Sequence, residues 1–249
     1  MNTDSCLLID NSNTRTKLML CCPGRDAELR IVPTCEISRE SLMSALDGWV
    51  YDRVCLCSVV PWAARVISET LSAVPLLRLA ARAAREVDFS CYPGVDTLGE
   101  DRVANALAAV RYAPLPLVAV DLGTASTFDV VVDSEHGPVF AGGVIAPGLA
   151  AVAGCLHANT AQLPVVTWDA PGPVIGRNTH EALAAALRVG YPAMIDAVLS
   201  GIESELGRPV HVLLTGGDAA ALAPHLHHES VLVSSLTLEG IALFANVSI

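Results

Sequence analysis

Short apolar runs alternate with polar or glycine-bearing turns along most of the chain, and the spacing of those runs predicts its elements. Cys6 to Asp10 predicts a buried strand, Asn11-Ser12-Asn13 a polar turn and Thr16 to Cys21 a second strand. Ser38 is placed to cap a helix running to Trp49, with Glu40 and Ser41 in its first turn. Arg53 to Val59 reads as another buried strand, and Pro61 to Leu71 as a helix with proline at its start. Leu98 to Tyr112 has helical spacing and stops ahead of Pro114 and Pro116. The opening pattern then recurs: strand Leu117 to Asp121, turn Leu122-Gly123-Thr124-Ala125, strand Thr127 to Val132. A further strand, Val139 to Ile145, is expected to be broken at Gly142-Gly143. Helices are expected over 147–161, 179–206 and 236–245, and a strand from Val210 to Leu214 leads into Thr215-Gly216-Gly217-Asp218.

The two Asp-bearing turns, at Asp10 and Asp121, begin 111 residues apart, which predicts an internal duplication at the scale of a domain. The prolines near 113–116 set the expected boundary, giving one domain over 1–114 and a second over 115–249.

Composition narrows the function classes. Hydrophobic residues make up 52% and charged residues 16%, so a large core can form and wholesale disorder is not expected; aromatics are only 4%, so that core is aliphatic. The net charge of −11 argues against nucleic acid and anionic membrane as partners, because both are bound through phosphate neutralisation. A phosphate site on such a chain must be built locally from N–H groups, a metal or a few placed cations. The eight cysteines are scattered, with no secretory pattern ahead of Cys6, which predicts reduced thiols in a cytoplasmic protein. Cys55 and Cys57 would share one face of a strand, but no second half of a zinc site accompanies them.

A strand ending in Asp10 puts a carboxylate at the lip of a sheet, where the turn offers N–H groups and hydroxyls; this combination suits a magnesium-bound nucleotide. Lys17, the chain's single lysine, lies seven residues on and would reach the same lip if the strand pairs back. Asp121, Gly123, Thr124 and Thr127 repeat the arrangement, and Gly216-Gly217 makes a third turn with room for a ligand. Each turn alone is equally well a plain hairpin. Gly99-Glu100-Asp101-Arg102 opens a helix, where Arg102 and the helix end favour anions and Asp101 can accept a proton; helix capping by an acid is the ordinary alternative.

Seven pieces in order resemble the type III pantothenate kinase family of the actin-like clan. They are Asp10-x-x-Asn13-Thr14-x-x-Lys17; Tyr92 with Gly99-x-Asp101-Arg102; Asp121-x-Gly123-Thr124-Ala125-x-Thr127-x-Asp129; Gly142-Gly143-x-Ile145-x-Pro147-Gly148; Thr160-Ala161-x-Leu163-Pro164; Gly176-x-Asn178-Thr179; and Thr215-Gly216-Gly217-Asp218-Ala219. The resemblance implies an α/β fold of two duplicated actin-like (ribonuclease H-like) domains with a nucleotide cleft between them. It implies that ATP phosphates are bound by Asp10, Asn11, Ser12, Asn13, Thr14, Arg15, Thr16 and Lys17, with Asp10 near Mg²⁺ and Thr124 contacting ATP. It implies Asp101 as the base that takes the proton of the pantothenate hydroxyl, with Tyr92, Gly99, Glu100 and Arg102 around that substrate. Asp121 would hold a monovalent cation, K⁺ or NH₄⁺, and Thr179 would reach pantothenate across a homodimer interface. The product would be 4′-phosphopantothenate, on the route to coenzyme A. The alternatives are a kinase for another small hydroxylated substrate and a catalytically weak or inactive member acting as an accessory or regulatory protein, since some relatives were first described as accessory factors in transcription, the Bvg accessory factor group.

Three positions depart from the family pattern. Ser12 replaces a glycine, with a strain of ~1 kcal/mol expected if that position has a positive φ. Gly94-Val95 replaces Asn-Pro, and Glu100 stands where a small residue is usual and is expected to face solvent. Arg102 is expected to hold the pKa of Asp101 low. His225, His227 and His228 read as a solvated loop, and Arg78, Arg82 and Arg85 as one solvated helical face.

Overall fold

The computed structural model describes residues 5–249. In chain order the elements are β1 (Cys6–Asn11), β2 (Arg15–Cys21), β3 (Glu28–Pro33), α1 (Arg39–Ala45), β4 (Arg53–Ser58), α2 (Pro61–Thr70), β5 (Leu76–Arg78) and α3 (Glu100–Ala109). There follow β6 (Leu117–Leu122), β7 (Ala125–Ser134), β8 (Gly137–Pro147), α4 (Leu149–Asn159), α5 (Thr179–Leu206), β9 (His211–Thr215), α6 (Ala219–Leu222), β10 (Ser230–Leu232) and α7 (Leu236–Ala245).

The two sheets have one topology. The first runs β3-β2-β1-β4-β5; the second, read in the same direction, runs β8-β7-β6-β9-β10. In each, the opening strand pairs antiparallel with the second and parallel with the fourth. The duplication expected from the two Asp turns is therefore present in the strand order itself.

The chain divides into two compact units: residues 1–112, 132–141 and 235–249 form the first, and 113–131 with 142–234 the second. This differs from the division at 114/115, which assigned the last helix to the second half. The reason is packing: α7 lies on α3, β1 and β4. Strands β1 and β4 are buried along both faces, so two layers must cover them. Leu7, Ile9, Val54 and Leu56 enter a cluster with Leu42, Ile67 and Leu71 of the α1–α2 side. The alternate residues of the same strands are left to α3 and α7, by the period of two. Cys55 and Cys57 do share that second face; both are buried thiols, the first pushed up to about 12 by burial.

Several local expectations are matched. Ser38 caps α1 in a reciprocal capping box with Ser41, and α5 and α7 have the expected limits. Gly142-Gly143 does not interrupt its strand, which runs unbroken over β8, with Gly142 at φ 121° absorbing the local conformation. Three strands escaped the apolar pattern, β3 with its charged, mostly exposed residues and the three-residue β5 and β10, and all three lie at or next to sheet edges. Arg78, Arg82 and Arg85 do not share a helix: Arg78 ends β5 and pairs with Glu100, and Arg82 pairs with Asp96. Helix α5 is long and apolar enough to cross a membrane by length and composition alone; its buried Ala184, Leu187, Tyr191, Ile195 and Leu199 also fit a core helix.

The contact between α3 and α7 depends on the absence of a side chain at Gly240, where a Cβ would fall 1.8 Å from the carbonyl oxygen of Ala104. Gly240→Ala is expected to lower stability by about 1–3 kcal/mol through overpacking, read as a lower denaturant midpoint with an unchanged slope.

Candidate functional site

In the first unit, β1 carries Asp10 to the end of the sheet, opposite Lys17 on β2 and beside Cys57 on β4. The Lys17 ammonium sits 3.1 Å from the Asp10 carboxylate. Asp10 is only 4% exposed, and burial raises its pKa against the opposing pull of Lys17. The hairpin turn beyond it is closed by Ser12 N–H donating to the Arg15 carbonyl (3.1 Å) and exposes Asn13, Thr14 and Arg15. The expected strain at Ser12 is not found: Asn246 is the one non-glycine with positive φ among the described residues. The Ser12 hydroxyl donates to the Arg15 carbonyl at 2.9 Å, so it reinforces the turn.

Helix α3 brings in Asp101 from its first turn, with Gly99 as N-cap. Asp101 Oδ1 accepts from the backbone N–H of Arg102 at 2.8 Å. Its pKa is raised, and this corrects the sequence expectation. Burial is the largest cause, and the Asp10 charge adds to it; the N–H and charge of Arg102 pull the other way and lose. Arg102 is buried with its guanidinium 5.7 Å from the Phe140 ring centre, and Tyr92 meets the same ring edge-on at 5.3 Å. Tyr92 and Arg102 thus meet on the same ring, that of Phe140, within one unit. Gly94 packs under the Tyr92 ring, where a Cβ would lie 3.1 Å from Cε1.

Glu100 does not face solvent. Its carboxylate accepts from Ser58 N–H (2.7 Å) and from Arg78 Nε (2.5 Å), and burial raises its pKa. Each oxygen thus has a partner within the protein, which makes Glu100 a clamp between α3 and the end of β4. Sequence reasoning missed Ser58 altogether. Its signal was available: a polar residue closing a buried apolar strand, like Asp10 on the neighbouring strand.

In the second unit Asp121 occupies the place that Asp10 has in the first, opposite Thr127 on β7 and Thr215 on β9. Around it the oxygens crowd two glycines. A Cβ at Gly216, whose φ is +96°, would lie 2.5 Å from Asp121 Oδ1 and 2.4 Å from the Leu122 carbonyl. At Gly148 it would lie 2.1 and 2.4 Å from the carbonyls of Gly123 and Thr124. Thr124 is exposed, and Thr179 is exposed at the first position of α5, behind the Asn178 cap. The histidine loop is more ordered than a solvated one: His228 Nδ1 lies 2.7 Å from Asp196 and Nε2 3.5 Å from Glu203, both on α5. His225 instead packs edge-on to Trp168. Among the described residues no group of three or more His, Cys, Asp or Glu side chains is placed to hold a metal.

Known proteins carry the same pattern. The sequence profile of the type III pantothenate kinase family matches residues 6–200. The type III pantothenate kinase of Akkermansia muciniphila is 40% identical, over 98% of this chain and 99% of the relative. That of Methylacidiphilum infernorum is 34% identical over 98% and 89%. Among solved structures, a Campylobacter jejuni Baf family protein described as a transcriptional activator aligns with a TM-score of 0.62 at 19% identity, over 96% of this chain and 97% of that one. A glucokinase from an Antarctic psychrotroph aligns at 0.52 and 12% identity, over 98% and 99%; an archaeal actin homolog aligns at 0.52 and 13%, over 97% and 99%. At those identities the structures speak for the fold alone, which is the actin-like one. With the sequence matches extending over nearly the whole chain, the protein belongs to the type III pantothenate kinase family, a family of phosphotransferases.

Proposed function

We infer that this chain transfers the γ-phosphoryl group of ATP to the primary hydroxyl of pantothenate, giving ADP and 4′-phosphopantothenate. The observation that carries the reading is Asp101: a half-buried carboxylate in the first turn of α3, its proton affinity raised by desolvation, beside Arg102 and close enough to Asp10 to feel its charge. Such a group is suited to take the hydroxyl proton as the oxygen forms its bond to the γ-phosphorus and the bond to ADP breaks. Arg102, Tyr92 and Gly99 form the surroundings of pantothenate in this reading. The 10–17 turn, Lys17 and Thr124 receive ATP. Thr179 meets pantothenate in a homodimer, which the exposure of Thr179 and of the nearby Val174 (69%) and Ile175 (84%) permits.

The residues fit a divalent ion at Asp10. A carboxylate is the ligand Mg²⁺ prefers, and the repulsion between Asp10 and Asp101 is what a cation would relieve. Magnesium uses one or two carboxylates plus substrate phosphates, so no three-residue cluster is needed. Asp121 would hold K⁺ or NH₄⁺ in this reading, supported by the Leu122 carbonyl, which lies with the Asp121 carboxylate against Gly216 and supplies a second oxygen of the kind such ions take. The metal ions would supply charge neutralisation for the phosphates.

Purified protein with ATP, Mg²⁺ and pantothenate is expected to release ADP only when pantothenate is present, and faster in K⁺ than in Na⁺. Release without pantothenate dependence would overturn the acceptor, and equal rates in both salts would overturn the role of Asp121.

Asp101→Asn is expected to lose nearly all turnover without losing stability. Linkage sets the direction of the stability change. A carboxyl whose folded pKa is raised contributes stability that is full below its unfolded pKa and is lost as pH rises through the folded value, by about 1.4 kcal/mol for each tenfold difference in proton affinity between the folded and unfolded chains. Urea unfolding should therefore find the variant more stable than the parent at neutral pH and the two alike in acid. The acid limb of the turnover profile should lie above the ordinary aspartate range, and a limb at or below that range would count against Asp101 as the base.

A further inference from the structure

Behind the 12–15 turn lies a chain of buried polar groups with one direction. The Val60 N–H donates to Ser58 Oγ at 3.2 Å, and Ser58 Oγ donates to Asn11 Oδ1 at 2.6 Å. Asn11 Nδ2 donates to Thr16 Oγ1 at 2.7 Å, and the Thr16 and Thr34 hydroxyls lie 3.0 Å apart. Thr34 Oγ1 donates to the carbonyl of Ser12 at 2.7 Å. A hydroxyl has one proton, and that of Thr34 is used on Ser12, so Thr16 must be the donor to Thr34. Every orientation in the series is thereby fixed. Asn11, Thr16, Thr34 and Ser58 are each at most 4% exposed. A buried network in which each group is satisfied is stiff, because no member can turn without stranding a neighbour.

The last link bears on the turn itself. Thr34 holds it twice, through its hydroxyl on the Ser12 carbonyl and through its N–H on the Thr14 carbonyl at 3.0 Å. Two carbonyl oxygens of the turn are thus drawn toward a buried residue. A carbonyl oxygen facing a phosphate repels it, so an anion-binding turn needs its carbonyls turned away and its N–H groups left to the ligand. Thr34 lies outside every motif identified in the sequence, just past β3.

We propose that Thr34 is a positioning residue for the ATP phosphates, holding the 12–15 turn directly, and that Ser58 acts on it from the far end of the relay through Asn11 and Thr16. The proposal rests on the reading of residues 10–17 as the phosphate turn. It assigns the relay to the nucleotide and not to the acceptor.

The test is direct binding of Mg-ATP without pantothenate, together with KM for each substrate, in Thr34→Val and Thr34→Ser. Valine keeps the shape and removes the hydroxyl; serine keeps the hydroxyl. Thr34→Val is expected to raise the Kd for Mg-ATP roughly tenfold, the effect of losing about one well-placed hydrogen bond, with KM for pantothenate within about twofold of the parent. Thr34→Ser should bind as the parent does. Unchanged Mg-ATP binding in Thr34→Val, an equal loss for both substrates, or failure of Thr34→Ser to restore binding would each overturn the proposal. If Thr34→Val does not fold, Ser58→Ala, which removes the donor to Asn11, decides by the same criteria. A parent that binds Mg-ATP but does not phosphorylate pantothenate overturns the acceptor reading and leaves the relay to be judged on binding. A parent that binds no Mg-ATP overturns both.

Discussion

The first unit is organised around two carboxylates that water cannot fully solvate. Asp10 ends a strand buried on both faces, Asp101 sits in the first turn of a helix packed on that sheet, and burial is the largest influence on each. Charged groups in such places persist only with partners. Asp10 has the chain's single lysine across the hairpin, and Asp101 has the N–H of Arg102 and the guanidinium behind it. Even the neighbouring Cys57 feels them, its thiol held far above its ordinary range by burial and by both aspartates. In a chain of net charge −11, placing the one lysine here gives the site a local cation that the overall field does not supply.

Around these charges, neutral hydrogen bonds and one further ion pair fix position. Glu100 ties the start of α3 to the end of β4 with the help of Arg78, and Ser58 joins that clamp by its N–H to the hydroxyl relay by its side chain. The helix bearing Asp101 and the turn after Asp10 are therefore held by a common residue. The second unit repeats the strand order but not the chemistry: where Lys17 faces Asp10, Thr127 faces Asp121, and carbonyl oxygens gather in place of an ammonium. One topology thus carries an Asp–Lys ion pair at the end of one sheet and an Asp–Thr pair at the matching end of the other.

The parts of the site legible in the sequence were those carried by local pattern. An apolar run ending in Asp, followed by a polar turn and a second run, was enough to place Asp10 opposite Lys17, because a two-stranded antiparallel register follows from the turn. The expected limits of α5, 179–206, are met, and in the structure they are set by the Asn178 cap and by Gly207 in the left-handed conformation at its end. What the sequence could not display were contacts between residues far apart in the chain. Ser58 meets Asn11 across 47 positions, and the side chain of Glu100 chooses Ser58 and Arg78 over solvent only once β4 and β5 are alongside. The raised proton affinity of Asp101 is hidden from the sequence for the same reason. Its neighbour Arg102 is visible in a motif, but the desolvation that outweighs it comes from the packed fold.

The return of α7 to the first sheet bears on how the chain can be made. The first unit takes its strands β1 to β5 from residues 6–78 and its covering helix from residues 236–245, with the residues of the second unit between them in the sequence. During synthesis the strands bearing Asp10 and Lys17 emerge long before α7, so the face of their sheet that α7 covers stays bare until residues 236–245 have been made. The first sheet therefore cannot complete its packing before the residues of the second unit have been made, unlike a domain that closes as soon as its own segment emerges. A chain lacking α7 would leave the residues of the proposed phosphate turn on an unfinished sheet.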